Sequence, residues 1–333
     1  MLLRISPARA LVCCGLLFVV TLGAACQAQT FTDPEKAGKD FAIQGEYQGV
    51  FKNDDEEVKT GAQVIALGDG KFDLVGYMGG LPGDGWSRGD DTERGSGNLE
   101  GDVVTFRPAE GTWKAELTGG VLTVFEQDKA IGELKKVERK SDTLGAKPPE
   151  GAIVLFDGSN VDQWNDGRIV EENLLGATNC STKRKFGDHV LHIEFRTPFM
   201  PTARGQGRGN SGVYIQSRYE LQVLDSFGLE GANNECGGIY SISEPAVNMC
   251  LPPLSWQTYD IDFTAARYDD DGKKTANARA TIKHNGVVIH DDLELKHGTP
   301  GRSEEGPGPD ALFLQDHGNP VAFRNIWVVE KKE

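Results

Sequence analysis

Between residues 208 and 240 the chain alternates apolar and polar positions with a period of two, the pattern of strands with one dry and one wet face. In the run Tyr219-Glu220-Leu221-Gln222-Val223, the side chains of Tyr219, Leu221 and Val223 share one side, and Glu220 and Gln222 share the other. An ordinary wet face mixes Lys and Thr, whereas the polar positions here are Glu, Gln, Tyr and Asn. Such side chains make directed hydrogen bonds to hydroxyl-rich ligands. Alternation alone leaves open the other reading, a solvated sheet face with no function.

The same period runs through most of the chain. Residues 31–140 predict strands over 62–67, 72–78, 103–107, 113–117, 121–126 and 132–137, punctuated by Gly68-Asp69-Gly70 and Gly119-Gly120. One short helix is expected over 34–41, and 79–97 reads as a long flexible excursion carrying a single Trp. Residues 141–150, with a Pro-Pro pair and no periodicity, read as a linker. Strands then follow over 189–196, 212–217, 219–224, 237–240, 258–264, 278–284, 287–290, 311–315 and 322–329, and Asn285-Gly286 is a hairpin signal. No stretch keeps a helical period. The fold class is all-β: a two-sheet antiparallel jelly-roll sandwich over 151–333, preceded by a small β-rich sandwich or barrel over 31–140.

Several polar faces could meet. His192, Glu194 and Arg196 fall together on one strand, Gly212, Tyr214 and Gln216 on the next, and Glu220 and Gln222 on the one after. Gln315-Asp316-His317-Gly318-Asn319 ends a strand at a turn. On the concave side of one sheet these residues would form a groove of carboxylates, imidazole, guanidinium and amides, the chemistry of a carbohydrate site. Arg196 and Glu194 could equally pair with neighbouring strands.

Composition narrows the partners. Of 333 residues 26% are charged, and the formal net charge is -15. Residues 1–28 read as a secretion signal, with Arg4 and Arg9 before an apolar run and then Gly23-Ala24-Ala25-Cys26. Its removal takes off two positive charges and leaves the chain near -17. Such a surface repels nucleic acid and anionic lipid, so neither is an expected partner. Cys26 resembles a lipobox cysteine, with Gly23 where Leu is usual, and cleavage near Ala28 is the alternative. Either outcome exports the protein to the periplasm or cell surface, with membrane contact only through a lipid on Cys26. Beyond the leader and Cys26, Cys180, Cys236 and Cys250 allow at most one bridge, with Cys236–Cys250 the better pair, or else three buried thiols.

Other templates fail. No phosphate-binding Gly-rich loop and no G-x-S-x-G elbow is present. Asp269-Asp270-Asp271-Gly272 lacks the Glu of a calcium loop and reads as a turn. His192 and Glu194 are two conceivable metal ligands, with a structural or substrate-binding role expected instead, so no metal site is assigned.

The segments H-I-E-F-R (192–196), R-G-N-S-G-V-Y-I-Q-S-R-Y-E-L-Q-V-L-D-S-F-G (208–228), C-G-G-I-Y (236–240), W-Q-T-Y-D-I (256–261), H-N-G-V-V-I-H-D (284–291) and L-Q-D-H-G-N-P-V-A-F-R-N-I-W (314–327) resemble the bacterial 3-keto-disaccharide hydrolase domain. The resemblance covers roughly 150–330 and implies a concanavalin-A-like jelly roll that cleaves glycosides oxidised to a ketone at sugar carbon 3. That chemistry needs a base for the carbon 2 proton, a donor for the leaving oxygen and a clamp for the enolate. On chemistry and pattern, His317 is the expected base, Glu220 or Asp225 the acid or its orienter, and Arg196 the clamp. Asn210, Tyr214, Gln222, Tyr240, Gln315 and Glu194 are expected to hold hydroxyls. No cofactor is expected, a divalent metal on the ketone oxygen being the alternative to Arg196. A lectin-like binding module and a two-carboxylate glycosidase are the rival functions.

Overall fold

The structure is a computed structural model and describes residues 29–53 and 56–332, so the leader and Cys26 lie outside the described residues. The fold is all-β, as expected: a barrel followed by a two-sheet sandwich. Among the described residues no helix is long and apolar enough to cross a membrane.

The strands Gly45–Asn53, Glu56–Gly68, Lys71–Met78, Thr92–Glu100, Val103–Arg107, Trp113–Thr118, Val121–Glu126 and Lys129–Val137 form a closed antiparallel barrel. Each pairs with its neighbour in sequence, and the last returns to the first through Glu46↔Val137 to Phe51↔Gly132. Closure leaves no free strand edge. Tyr47, Phe72, Phe106 and Leu117 fill one half of the interior. The expected helix at 34–41 is two pieces. Asp33 caps the 3-10 turn Pro34–Lys36 by accepting from Glu35 N (3.0 Å), and the helix Gly38–Ile43 follows. Phe41 packs against Phe199 of the sandwich, ring centroids 5.4 Å apart, and covers that end of the barrel.

The expected flexible excursion at 79–97 is corrected. Trp86 is buried against Tyr77, and a Cβ on Gly83 would lie 2.3 Å from Met249 Sδ. The second half of the segment opens the barrel strand Thr92–Glu100, whose buried positions Gly95 and Gly97 carry no side chain and so show no hydrophobic period.

In the sandwich one sheet runs Ile169–Val170, Leu174–Gly176, Ala322–Glu330, His189–Arg196, Gln257–Thr264, Ala278–His284 and Val287–Leu295, with Ile153–Phe156 also paired to Ala322–Glu330. The other runs Trp164–Asn165, Cys180–Thr182, Phe313–Leu314, Ser211–Ile215 and Tyr219–Val223. Leu191, Ile193 and Phe195 from the first sheet meet Val213, Ile215 and Leu221 from the second in one core. Residues 237–240 contribute only isolated bridges at Ile239, to Leu221 and to Ser243, rather than the expected strand. Cys180, Cys236 and Cys250 are buried free thiols, so no bridge forms.

Barrel and sandwich share a core. Ile65, Val75 and Tyr77 on the barrel's outer side pack in the same cluster as Leu224 and Phe227. Arg88 Nη2 donates to the carbonyls of Glu230 (3.1 Å), Gly231 (2.8 Å) and Pro245 (2.9 Å). The expected linker is likewise no free tether. Ser141 Oγ lies 2.6 Å from Thr258 Oγ1, Thr143 Oγ1 donates to Asp260 Oδ2 (2.6 Å), and Gly145 N donates to Glu194 Oε1 (2.6 Å). The segment has no periodicity because side chains and carbonyls, not a strand ladder, hold it against the first sheet.

Candidate active site

Sheet membership divides the expected site residues. His192, Glu194 and Arg196 sit on the outer face of the first sheet, and Tyr214, Glu220 and Gln222 on the outer face of the second. The hydrophobic core separates the two faces, which corrects the expectation of one shared groove.

On the outer face of the first sheet His192, Glu194 and Arg196 are each paired with their neighbours. Glu194 accepts from Arg324 Nε (2.7 Å), Asn325 Nδ2 (2.9 Å) and Gly145 N. Burial pushes its carboxyl up, but these bonds and the one from His192 outweigh burial and hold it down to about 2. His192 Nδ1 meets Asp260 Oδ1 at 2.6 Å, and its ring stacks on Trp327. Arg196 pairs with Glu171 and lies 5.1 Å from the Trp256 ring. Among the described residues no group of three or more His, Cys, Asp or Glu is placed to hold a metal. Asp225 is also spoken for, buried and paired with Arg208 Nε at 2.7 Å.

The second sheet is different. The hairpin of Ser211–Ile215 and Tyr219–Val223 turns through Gln216 (φ 51) and Ser217 (φ 53), both left-handed. Side-chain bonds hold these strained residues, Gln216 Nε2 to Phe186 O (2.8 Å) and Ser217 Oγ to Ala311 O (3.0 Å). The resulting register sets Tyr214 opposite Glu220 and Gly212 opposite Gln222. Tyr214 OH donates to Glu220 Oε2 at 2.8 Å. Gly212 is required there, because a Cβ would stand 2.5 Å from Glu220 Oε1. Every residue of both strands is buried, so this polar face is not a solvated one.

Glu220 is thus a buried carboxylate with a hydroxyl as its side-chain partner. Burial pushes it from 4.5 up to about 7, against the pull of the Tyr214 bond. A carboxylate poised there can exchange protons near neutral pH.

Amides gather beside it. Asn210 Nδ2 donates to Gln206 Oε1 (3.1 Å), Gln222 Nε2 to the same oxygen (3.3 Å), and Asn210 N to Asn319 Oδ1 (2.8 Å). Asn210 Oδ1 and Gln222 Oε1 are buried with no protein partner, two acceptors that a ligand hydroxyl would satisfy. Gln315 Nε2 reaches Tyr214 OH at 3.4 Å, and Tyr240 N donates to the Glu220 carbonyl (3.1 Å). Gln206, Tyr240, Gln315 and Asn319 are half-buried, so the cluster reaches the surface on their side. His317 is exposed on the turn between Gln315 and Asn319.

Four further members lie outside the expected set. Thr299 Oγ1 accepts from Glu220 N (2.9 Å), and a Cβ on Gly301 would lie 3.3 Å from Tyr214 OH, so this loop closes over the pair. Arg302 lies 3.6 Å over the Phe313 ring, which packs edge-on against Tyr214. Phe313 was legible as the residue two before Gln315 on one strand face; the loop residues had no period to show them.

Residues 151–329 match the family of 3-keto-alpha-glucoside-1,2-lyase-like domains. A crystal structure from Parabacteroides distasonis ATCC 8503, provisionally named a glycosyl hydrolase, is 32% identical, covering 55% of this chain and 85% of that one, with a TM-score of 0.50. A second such protein from the same organism is 18% identical over 55% of this chain and 95% of that one, with a TM-score of 0.41, and adds nothing to the argument. No curated protein matches the chain.

Proposed function

The chain belongs to the family of 3-keto-alpha-glucoside-1,2-lyase-like domains, and we propose that it cleaves 3-keto-glycosides with Glu220 as the base. Family membership and the glycosyl hydrolase neighbour support a carbohydrate-active function. The observation that carries the finer reading is Glu220 itself, buried beside Tyr214 and raised to about 7.

A ketone at carbon 3 acidifies the proton on carbon 2. The Glu220 carboxylate takes that proton, and the C–H pair moves into the C2–C3 bond, leaving the charge on the ketone oxygen. The ketone then re-forms, the pair shifts to C1–C2, and the aglycone oxygen leaves carbon 1 with its bonding electrons. Water adds at carbon 1 and a proton returns to carbon 2, giving the 3-keto sugar. Arg302, placed beside Tyr214 by Phe313, takes the clamp role first expected of Arg196. His317 becomes the proposed proton donor to the leaving oxygen, since its turn carries Gln315 and Asn319 into the cluster. Asn210, Gln222, Gln315 and Tyr240 hold hydroxyls. No redox cofactor enters, because the sugar arrives oxidised.

Turnover of a 3-keto-disaccharide in heavy water tests the scheme. Deuterium at carbon 2 of the first-formed product is the expected result, and a product without it overturns elimination. Cleavage of the unoxidised disaccharide would establish a two-carboxylate glycosidase instead, and binding of both sugars with turnover of neither a lectin-like module.

The pH dependence has a defined sign. Glu220 must be ionised to act, so the acid limb of kcat/KM is expected to rise with pH and to have its midpoint near 7. Stability runs the other way. The unfolded chain releases this proton near 4.5 and the native chain near 7, so the native state binds more protons in between. Stability from this group therefore falls as pH rises through that window, by at most about 1.4 kcal/mol per unit. Rate profiles and urea denaturation across the window check both slopes, and an acid limb with its midpoint near 4.5 would remove Glu220 from the role of base.

A further inference from the structure

We propose that the N-terminal barrel is a second binding site, for a small apolar molecule that carries a cation at one end. This site is independent of Glu220 and of the reaction proposed for it.

An eight-stranded barrel has an interior just wide enough to be filled by side chains or to hold one small ligand. Here the two halves differ. Tyr47, Phe72 and Phe106 fill the half covered by the helix Gly38–Ile43. The other half holds a cavity of about 650 Å³ that opens to solvent, within the size range of small-molecule sites. Leu74, Leu122, Val124 and Leu134 line it.

Glycines keep it open. Gly132 stands opposite Phe51, and a Cβ there would lie 2.2 Å from the Phe51 ring. Gly95 does the same for Trp113, where a Cβ would lie 2.6 Å from Cη2. Both rings therefore lie against a bare stretch of barrel wall, in the way aromatic residues cover strand glycines, instead of filling the lumen. At Gly76 the nearest atom to a Cβ is 3.7 Å away, so the lining could have been larger and is not.

The mouth has one sign of charge. Glu93, Glu110 and Glu126 line the cavity at exposed positions, and no Lys, Arg or His does so among the described residues. Trp113 Nε1 donates to Glu93 Oε2 (3.2 Å), which fixes an aromatic face beside a carboxylate. That pairing suits an ammonium group, by charge and by cation–π attraction, and the chain's net charge of -15 adds to it. An apolar anion meets the same floor but a repelling mouth.

Fluorescence of N-phenylnaphthylamine, a neutral apolar dye, with the full chain reads the site directly. One dye per chain is expected to bind, and decyltrimethylammonium to displace it at least about tenfold more effectively than decyl sulfate, both below their micelle concentrations. Val124→Trp is expected to weaken dye binding at least about tenfold by filling the cavity. The double variant Glu93→Gln/Glu126→Gln, at exposed positions that folding tolerates, is expected to keep the dye and lose the preference for the cation. Absence of dye binding, equal displacement by the two detergents, or unchanged binding by a folded Val124→Trp chain would each overturn the proposal. If Val124→Trp does not fold, the double variant decides.

Discussion

Replacing Glu220 by Gln is expected to lower turnover of a 3-keto-glycoside by about 100- to 10,000-fold, the range for a group that moves a proton in the rate-limiting step. The amide keeps the shape of the carboxyl and still accepts from Tyr214 OH, so the 2.8 Å bond has a successor. Gly212 leaves the same room for it. Above about pH 7 the variant is expected to be the more stable chain, because the wild type there carries a buried charge whose side-chain partner is a neutral hydroxyl. Activity and stability should thus move in opposite directions, which no packing defect produces. Leu221→Ala is the contrasting control: Leu221 is buried in the core one residue away, and its loss should cost about 2–5 kcal/mol. His317→Ala, at an exposed position, should slow the reaction less than Glu220→Gln. A folded, fully active Glu220→Gln chain would dismiss the proposed base.

How much of this was legible in advance depends on what a period of two can report. It places Tyr214 on one side of its strand and Glu220 on one side of the next, and the turn at Gln216-Ser217 then sets them opposite each other. It also places strand 278–284 and its hairpin, where Asn285 and Gly286 both take positive φ. It does not say to which sheet a strand belongs. His192-Ile193-Glu194 reads like Tyr219-Glu220-Leu221, yet one polar face is held by Asp260, Arg324 and residues 141–146 while the other is covered by loops and keeps two orphan amide oxygens. An imidazole is the obvious base for chemistry near neutral pH, whereas burial is what brings Glu220 to about 7, and burial is not written in any local run of residues. Arg302 and Thr299 lie in a loop, where spacing carries no information about which side chains meet. The strand Gly45–Asn53 was overlooked because alternate inward positions are Tyr47, Gly49 and Phe51, and the glycine interrupts the apolar series.

Glu194→Ala is expected to destabilise the sandwich by about 3–5 kcal/mol, the cost of removing one partner from a buried ionic cluster. The loss strands several groups together: Arg324 Nε, Asn325 Nδ2 and Gly145 N each lose an acceptor, and His192 loses one of its two carboxylates. Gly145 lies in the segment that covers the outer face of the first sheet, so its grip loosens as well. The pH signature is specific. Glu194 is held below its usual range, so its contribution is present above about 4.5 and disappears as pH falls toward about 2. His192 is held above its usual value: burial pulls it down, and the bonds to Asp260 and Glu194 more than reverse this. Its contribution is therefore complete below 6.5 and fades as pH rises through the raised native value. Between those limits the wild type should exceed Glu194→Ala by the most, and at the acid end the two should converge. Urea denaturation of both chains over that span measures the difference. Turnover per folded molecule should stay unchanged, since the core of the sandwich lies between Glu194 and Glu220; a large fall in turnover without loss of stability would place Glu194 in the reaction instead of in the scaffold.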